Sequence, residues 1–374
     1  MKKNKPDKRS ALNVRKGVVD RHDGLPGDSA GPARVSGSGP RRRDMSTDEI
    51  VQGVLAGDRV VLARAITLVE SASPVHQQQA QEILTELLPR RCQSIRVGIT
   101  GVPGAGKSTF IEALGTGLTG RGHKVAVTAV DPSSSLSGGS ILGDKTRMEK
   151  LAADGNAFIR PSPSGGTLGG VARKTRETIA LFEAAGYDVI LVETVGVGQS
   201  ETLVRSMVDF FLLILIAGAG DELQGIKKGV VEIADAILIN KADGTGLQAA
   251  RNARAEFERV LHYLRPATEG WQTRAFNSSA VTGEGVMEIW SVVEKFRELT
   301  TASGGFSSRR ETQEGDWFRA LVREGLVALF EKHPVVRDRK AELEKKVVEG
   351  VLPATTAARL LLEAFGRDGG GFSR

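Results

Sequence analysis

SIRVGITGVPGAGKST, residues 94–109, decides the fold. SIRVGIT (94–100) is a β-branched, apolar run of strand length, and GVPGAGKST (101–109) matches G-x-x-x-x-G-K-[ST] and opens a helix. In that strand–loop–helix setting the glycines let backbone N–H groups converge on phosphate oxygens, and the helix N-terminus adds the positive end of its dipole. The spacing therefore predicts that Gly101, Val102, Pro103, Gly104, Ala105, Gly106, Lys107, Ser108 and Thr109 cradle a polyphosphate. Lys107 is expected to reach the β- and γ-phosphates, and Ser108 to ligate Mg²⁺.

The same alternation continues outward from this loop. Strands are predicted at KVAVTAVD (124–131), AFIRPSP (157–163), YDVILVET (187–194), FFLLILIAG (210–218), AILINKAD (236–243) and TRAFNSSA (273–280). Helical patterns at 169–186, 227–235, 247–264 and 285–299 lie between and after them. Strands alternating with helices predict an α/β fold, a doubly wound, mostly parallel sheet with its functional loops at the carboxyl ends of the strands. Residues 46–92 read as an N-terminal helical segment, opened by the capping-box sequence STDE (46–49). The nucleotide-binding domain is placed at 93–302. A linker, SGGFSSRRET (303–312), then leads into two amphipathic helical stretches, making 303–374 a C-terminal helical extension. Those stretches are too few to bury a core of their own and must pack on the domain or on another subunit.

The net charge of +6 is misleading. Residues 1–44 carry 12 Lys+Arg against 5 Asp+Glu, a net of +7, so the remaining 330 residues sum to −1. A nucleic-acid-binding core is not supported, because the basicity sits in a Gly-, Pro- and Ser-rich tail (1–45) of disordered composition. The N-terminus has no apolar h-region, so no secretory signal is expected, and no apolar run is long enough to predict a membrane span. A single cysteine, Cys92, excludes an internal disulfide framework and fits a reducing compartment, read here as the cytoplasm.

Base identity comes from NKAD (240–243). A carboxylate at Asp243 accepts from both the ring N–H and the exocyclic amine of guanine, whereas adenine presents a different edge. Asn240 and Lys241 brace the loop and cover the base. NSSA (277–280) fits the final base loop, with Ser279, Ala280 and Val281 offering a backbone N–H to the guanine oxygen. The nucleotides implied are GTP and GDP.

LVETVGVGQSE (191–201) ends a strand with an acid followed by a glycine, an E-x-x-G switch. Glu193 is expected to hold Mg²⁺ through a water or to polarise the attacking water; Gly196 is expected to place its N–H near the γ-phosphate and move when that group leaves. DPSSSLSGGSILGDKTRM (131–148) starts at a strand end, and Asp131 and Asp144 suit a hard cation that keeps several waters. A helix cap or a turn competes for both. GAGDELQGIKKG (218–229) is a further mobile segment by its glycines; Gln224 and Lys227 either approach the nucleotide or a partner chain, or belong to a plain loop.

These motifs, GVPGAGKST, AVDPSSSLSGGSILGDKTRM, ETVGVGQSE, LQGIKKG and NKAD in that order, closely resemble the MeaB/MMAA/ArgK GTPases, over about residues 46–365. The resemblance implies a GTP-hydrolysing chaperone of an adenosylcobalamin-dependent acyl-CoA mutase, chiefly methylmalonyl-CoA mutase, that gates cofactor loading and protects or reactivates the enzyme. It implies a homodimer with C-terminal helices at the interface, and cobalamin adenosyltransferase as a further partner. By motif it places Ser108, Asp131, Asp144 and Glu193 around Mg²⁺, and Gln224 and Lys227 in a partner-responsive switch. Lys107, Glu193, Gly196, Gln224 and Lys227 are thus the catalytic candidates. Neither nucleic acid nor membrane is an implied partner.

Two other functions compete with this one. A nickel-maturation GTPase needs His and Cys at metal-ligand spacing, but His22, His76, His123, His262, His333 and Cys92 are scattered. A protein kinase of a transport system, an activity once attached to relatives of this family, needs an acceptor and a base that no motif marks.

Overall fold

The structure is a computed structural model, and it describes residues 45–130, 148–161, 168–194, 200–217 and 228–368. Its centre is a seven-stranded, all-parallel sheet: β1 (Ile95–Gly101), β2 (Val125–Val130), β3 (Ala157–Arg160), β4 (Val189–Thr194), β5 (Phe210–Ile216), β6 (Ala236–Asn240) and β7 (Arg274–Asn277), in the order β3-β2-β4-β1-β5-β6-β7. The central strands are apolar at nearly every position because both faces are covered, the expected composition of a buried parallel sheet. In β1 and β4 every residue is buried.

One face is covered by α1 (Thr47–Leu55), α2 (Arg59–Glu70), α3 (Pro74–Leu87), α6 (Leu168–Ala184), α7 (Ser200–Arg205) and α9 (Leu247–Leu261). The other is covered by α4 (Lys107–Thr119), α5 (Glu149–Ala153) and α10 (Val286–Ala302). A short α8 (Lys228–Glu232) precedes β6. The N-terminal helices start where the side chains allow: Ser46 and Glu49 form a reciprocal capping box on α1, and Asp58 accepts from Val60 and Val61 N–H at the start of α2. Val54, Leu62, Ile66 and Ile83 are fully buried, and α1–α3 share one continuous core with α6 and the sheet.

The segment 303–312 is not a linker. Gly304, at φ 77°, ends one helix and begins the next, and α11 (Gly305–Lys332) runs unbroken through it. The polar composition misleads because Arg309 and Arg310 turn inward. Arg310 grips Asp209 with two bonds, Nε to Oδ1 at 2.8 Å and Nη2 to Oδ2 at 2.6 Å, and Nη2 also donates to the Ser94 carbonyl. Arg309 donates to the Asp209 carbonyl and to Thr268. Asp209 and Asp235, both fully buried, stand immediately before β5 and β6. Asp235 also accepts from Arg205 Nη1 at 2.8 Å and from Phe211 N–H at 2.9 Å. The long helix is thus pinned to the amino-terminal edge of the sheet by charge.

After α11 come α12 (Pro334–Val348) and α13 (Ala354–Asp368), which pack on each other; Gly350 and Pro353 divide what the sequence pattern presents as one stretch. Among the described residues no helix is long and apolar enough to cross a membrane.

Candidate nucleotide site

The loop 101–106 leaves β1 at the centre of the sheet, between β4 and β5, where parallel-sheet topology opens a crevice. Two of its glycines are required by geometry. A Cβ on Gly101 would lie 2.0 Å from the Ile214 carbonyl oxygen on β5. One on Gly106, at φ 85°, would lie 2.6 Å from Asn240 Nδ2. The loop therefore threads a passage that only a bare backbone fits. It ends at the N-terminus of α4, where Gly106 supplies no side-chain cap. The first-turn N–H groups of α4 are thereby left for an anion. Lys107 folds back over the loop, its ammonium donating to the Gly101 carbonyl at 2.9 Å and the Val102 carbonyl at 3.4 Å. Those bonds hold a largely buried cation at the mouth of the loop.

Ser108 and Glu193 meet beside it. The strand register sets Glu193 opposite Ile99, two residues before Gly101, and the Ser108 hydroxyl donates to Glu193 Oε1 at 3.1 Å. Two hard oxygen donors of this kind, one neutral and one anionic, fit Mg²⁺ in chemistry. Among the described residues no group of three or more His, Cys, Asp or Glu stands together, so the two supply only part of a coordination shell. Asp131, Asp144, Gly196, Gln224 and Lys227 lie outside the described residues.

The residues that the sequence marks as candidates for reading the base come together on the other flank. Asn240 closes β6 and joins three segments: its Nδ2 donates to the Ala105 carbonyl at 2.8 Å, and its Oδ1 accepts from Ala280 N–H at 3.2 Å and from the Ser278 hydroxyl at 3.4 Å. Lys241 adopts a left-handed φ of 59°, and Ala242 N–H bonds the Ser278 carbonyl, so the chain turns sharply under the loop. Ser279 is fully buried and donates to Asp243 Oδ2, fixing the carboxylate that would read guanine. Ala280 is partly buried, whereas the side chain of Val281 points out to solvent. Ser278 was not singled out by sequence; its place beside Ser279 in NSSA was the only available signal.

The family follows from comparison with known proteins. The model of the family described as methylmalonyl Co-A mutase-associated GTPase MeaB matches residues 62–334. This chain belongs to the MeaB family of GTPases. It is 47% identical over 328 residues to the mouse protein named methylmalonic aciduria type A homolog, mitochondrial, covering 85% of this chain and 79% of that protein. It is 51% identical over 276 residues to GTPase ArgK of Escherichia coli K12, covering 74% of this chain and 83% of that one. Among solved structures, one described as an LAO/AO transport system kinase superposes with a TM-score of 0.70 at 40% identity, over 85% of this chain and 96% of that chain. Like the rest of the MeaB family, the protein is a P-loop GTPase.

Proposed function

We propose that this GTPase serves as a chaperone of an adenosylcobalamin-dependent acyl-CoA mutase of the methylmalonyl-CoA type, gating cofactor loading and protecting or reactivating the enzyme. The observation that carries the reading is the family match over residues 62–334, whose description names that mutase. The working unit is a homodimer. Support for it comes from α11, where Phe318, Val322, Leu326 and Leu329 recur at helical spacing and are each 46–66% exposed, an apolar stripe that a second subunit would cover. Cobalamin adenosyltransferase is a further partner in this scheme.

Hydrolysis is in-line attack of water on the γ-phosphorus, with GDP leaving. The N–H groups of 101–106 and of the first turn of α4 would surround the phosphates. Lys107 would exchange its carbonyl partners for β- and γ-phosphate oxygens, placing a positive charge where negative charge develops. Ser108 and Glu193, with Asp131 and Asp144, would hold Mg²⁺, which when bound neutralises charge on the phosphates. Glu193, Gly196, Gln224 and Lys227 would sense the γ-phosphate and pass its loss to the mutase. Asp243, oriented by Ser279, would select guanine.

Complex formation tests the client. Titration calorimetry of the protein with the methylmalonyl-CoA mutase of the same cell should show binding whose affinity differs between GDP and a non-hydrolysable GTP analogue. Absence of binding in both states would remove this client.

A further inference from the structure

Thr100 and Thr194 flank the two parts of the candidate active site. Thr100 immediately precedes Gly101 of the phosphate loop; Thr194 immediately follows Glu193. Thr194 is the last residue of β4 and Thr100 the last but one of β1, its parallel neighbour; both are fully buried, and Thr194 Oγ1 donates to Thr100 Oγ1 at 2.8 Å. That face also carries the buried polar side chains Arg96 and Thr128, nearer the strand starts, but around the pair it is apolar: Val130, Ile190, Val192, Leu213 and Leu215 are all at most 2% exposed.

Stability alone does not explain a hydroxyl pair there. Replacing both partners of a buried hydrogen bond by apolar groups of the same shape is close to neutral, and valine has that shape and a higher strand preference. What the bond adds is direction. It fixes the end of β4 against the end of β1 on the face opposite Glu193, since side chains alternate along a strand. The carboxylate of Glu193 is thereby held at the height of Ser108.

We propose that Thr100 and Thr194 form a latch that positions Glu193 against the phosphate loop for GTP hydrolysis. Neither touches the nucleotide; both act through Glu193, so the inference rests on the role given to Glu193 above. Losing the latch lets the strand end shift by a fraction of an ångström. The nucleotide, held by 101–109 and 240–243, binds as before, but the chemical step slows.

The test compares T100V/T194V, T194S and E193Q with the wild type by three readouts: single-turnover GTP hydrolysis, GDP affinity by fluorescent-analogue titration, and Tm. The double valine variant should keep its Tm and hold GDP within about twofold, while hydrolysis falls about five- to tenfold, the scale of a small misplacement near the reacting centre. T194S, which keeps the hydroxyl, should stay within about twofold of wild type in both hydrolysis and GDP affinity. T100A, which removes the acceptor and sheds volume instead of exchanging it, gives a second reading of the same ratio if the double variant does not fold. Wild-type hydrolysis in T100V/T194V or T100A, or a fall matched by weaker GDP binding, overturns the latch. E193Q separates the two claims: if it abolishes hydrolysis at unchanged GDP affinity, the role of Glu193 stands whatever the threonines do. If E193Q hydrolyses normally, both claims fall.

Discussion

Asn240 Nδ2 donates to the Ala105 carbonyl at 2.8 Å, so the end of β6 and the glycine-rich loop 101–106 are joined directly, by one side chain. The remaining oxygen of that amide holds the Ala280 N–H. A single side chain thus ties together the loop proposed to hold the phosphates and the loops proposed to hold the base.

Asn240→Ala should lower GDP affinity by roughly tenfold or more, since it leaves two backbone groups without their buried partner, at about 1–3 kcal/mol each. Gly106→Ala should act on the same contact from the other side. Its Cβ would meet Asn240 Nδ2 at 2.6 Å in a backbone region that only glycine enters easily. Titration with a fluorescent GDP analogue measures both, and near-normal affinity in either would show that the joint is dispensable.

Asp243→Asn tests base selection. Its amide would still accept but would present a donor to the exocyclic amine of guanine, costing affinity of about 2 kcal/mol or more. Xanthine carries a carbonyl at that position and pairs with the amide. Hydrolysis assays should show GTP use falling and xanthosine triphosphate use rising; unchanged GTP preference would place the base elsewhere.

The strand and helix pattern from 94 to 299 is legible because a buried parallel sheet needs apolar strands, and the candidate phosphate and base loops stand out because such chemistry would fix residue types at short spacing. The contact between Ser108 and Glu193, 85 residues apart, required the register of β4 on β1. The segment around Arg309 and Arg310 misleads for a physical reason. Polar, Gly-flanked sequence usually marks a solvated linker, and only the fold shows that two buried aspartates wait at the strand starts. Thr100 and Thr194 were hidden too, since threonine at a strand end looks like ordinary strand composition.

The arginine clamp predicts a stability cost. Arg310→Ala leaves Asp209 buried with a charge that only neutral N–H donors and more distant guanidinium groups offset, and should destabilise the protein by about 3 kcal/mol. Arg310→Lys should recover part of this, because an ammonium cannot make the two-pronged contact. Denaturant unfolding of both variants measures the difference, and an R310A midpoint equal to wild type would mean the clamp contributes nothing.

Glu183 sets an acid limit. Burial alone would push its carboxyl up, but Arg96, bonded at 2.8 Å and 3.0 Å, together with Ser94 and Arg310, holds it below the usual range. A carboxyl depressed in the folded state stabilises the fold above its unfolded pKa, about 4.3, and that contribution is lost as pH falls through the lower folded value. Tm followed from pH 7 to pH 3 should therefore drop more steeply for wild type than for Glu183→Gln, which starts lower. Parallel curves would assign acid sensitivity to other groups.

The exposed stripe on α11 predicts assembly. Light scattering after size exclusion should give the mass of a dimer for wild type and of a monomer for F318D/L326D, because two charges would have to be buried in the interface. Equal masses would move the interface elsewhere.

The most direct test of the whole account is the rate of GTP hydrolysis by the purified protein, alone and with the methylmalonyl-CoA mutase of the same cell. A slow intrinsic rate that rises severalfold or more with the mutase is the predicted result. A rate that the mutase leaves unchanged would contradict a nucleotide cycle coupled to that enzyme.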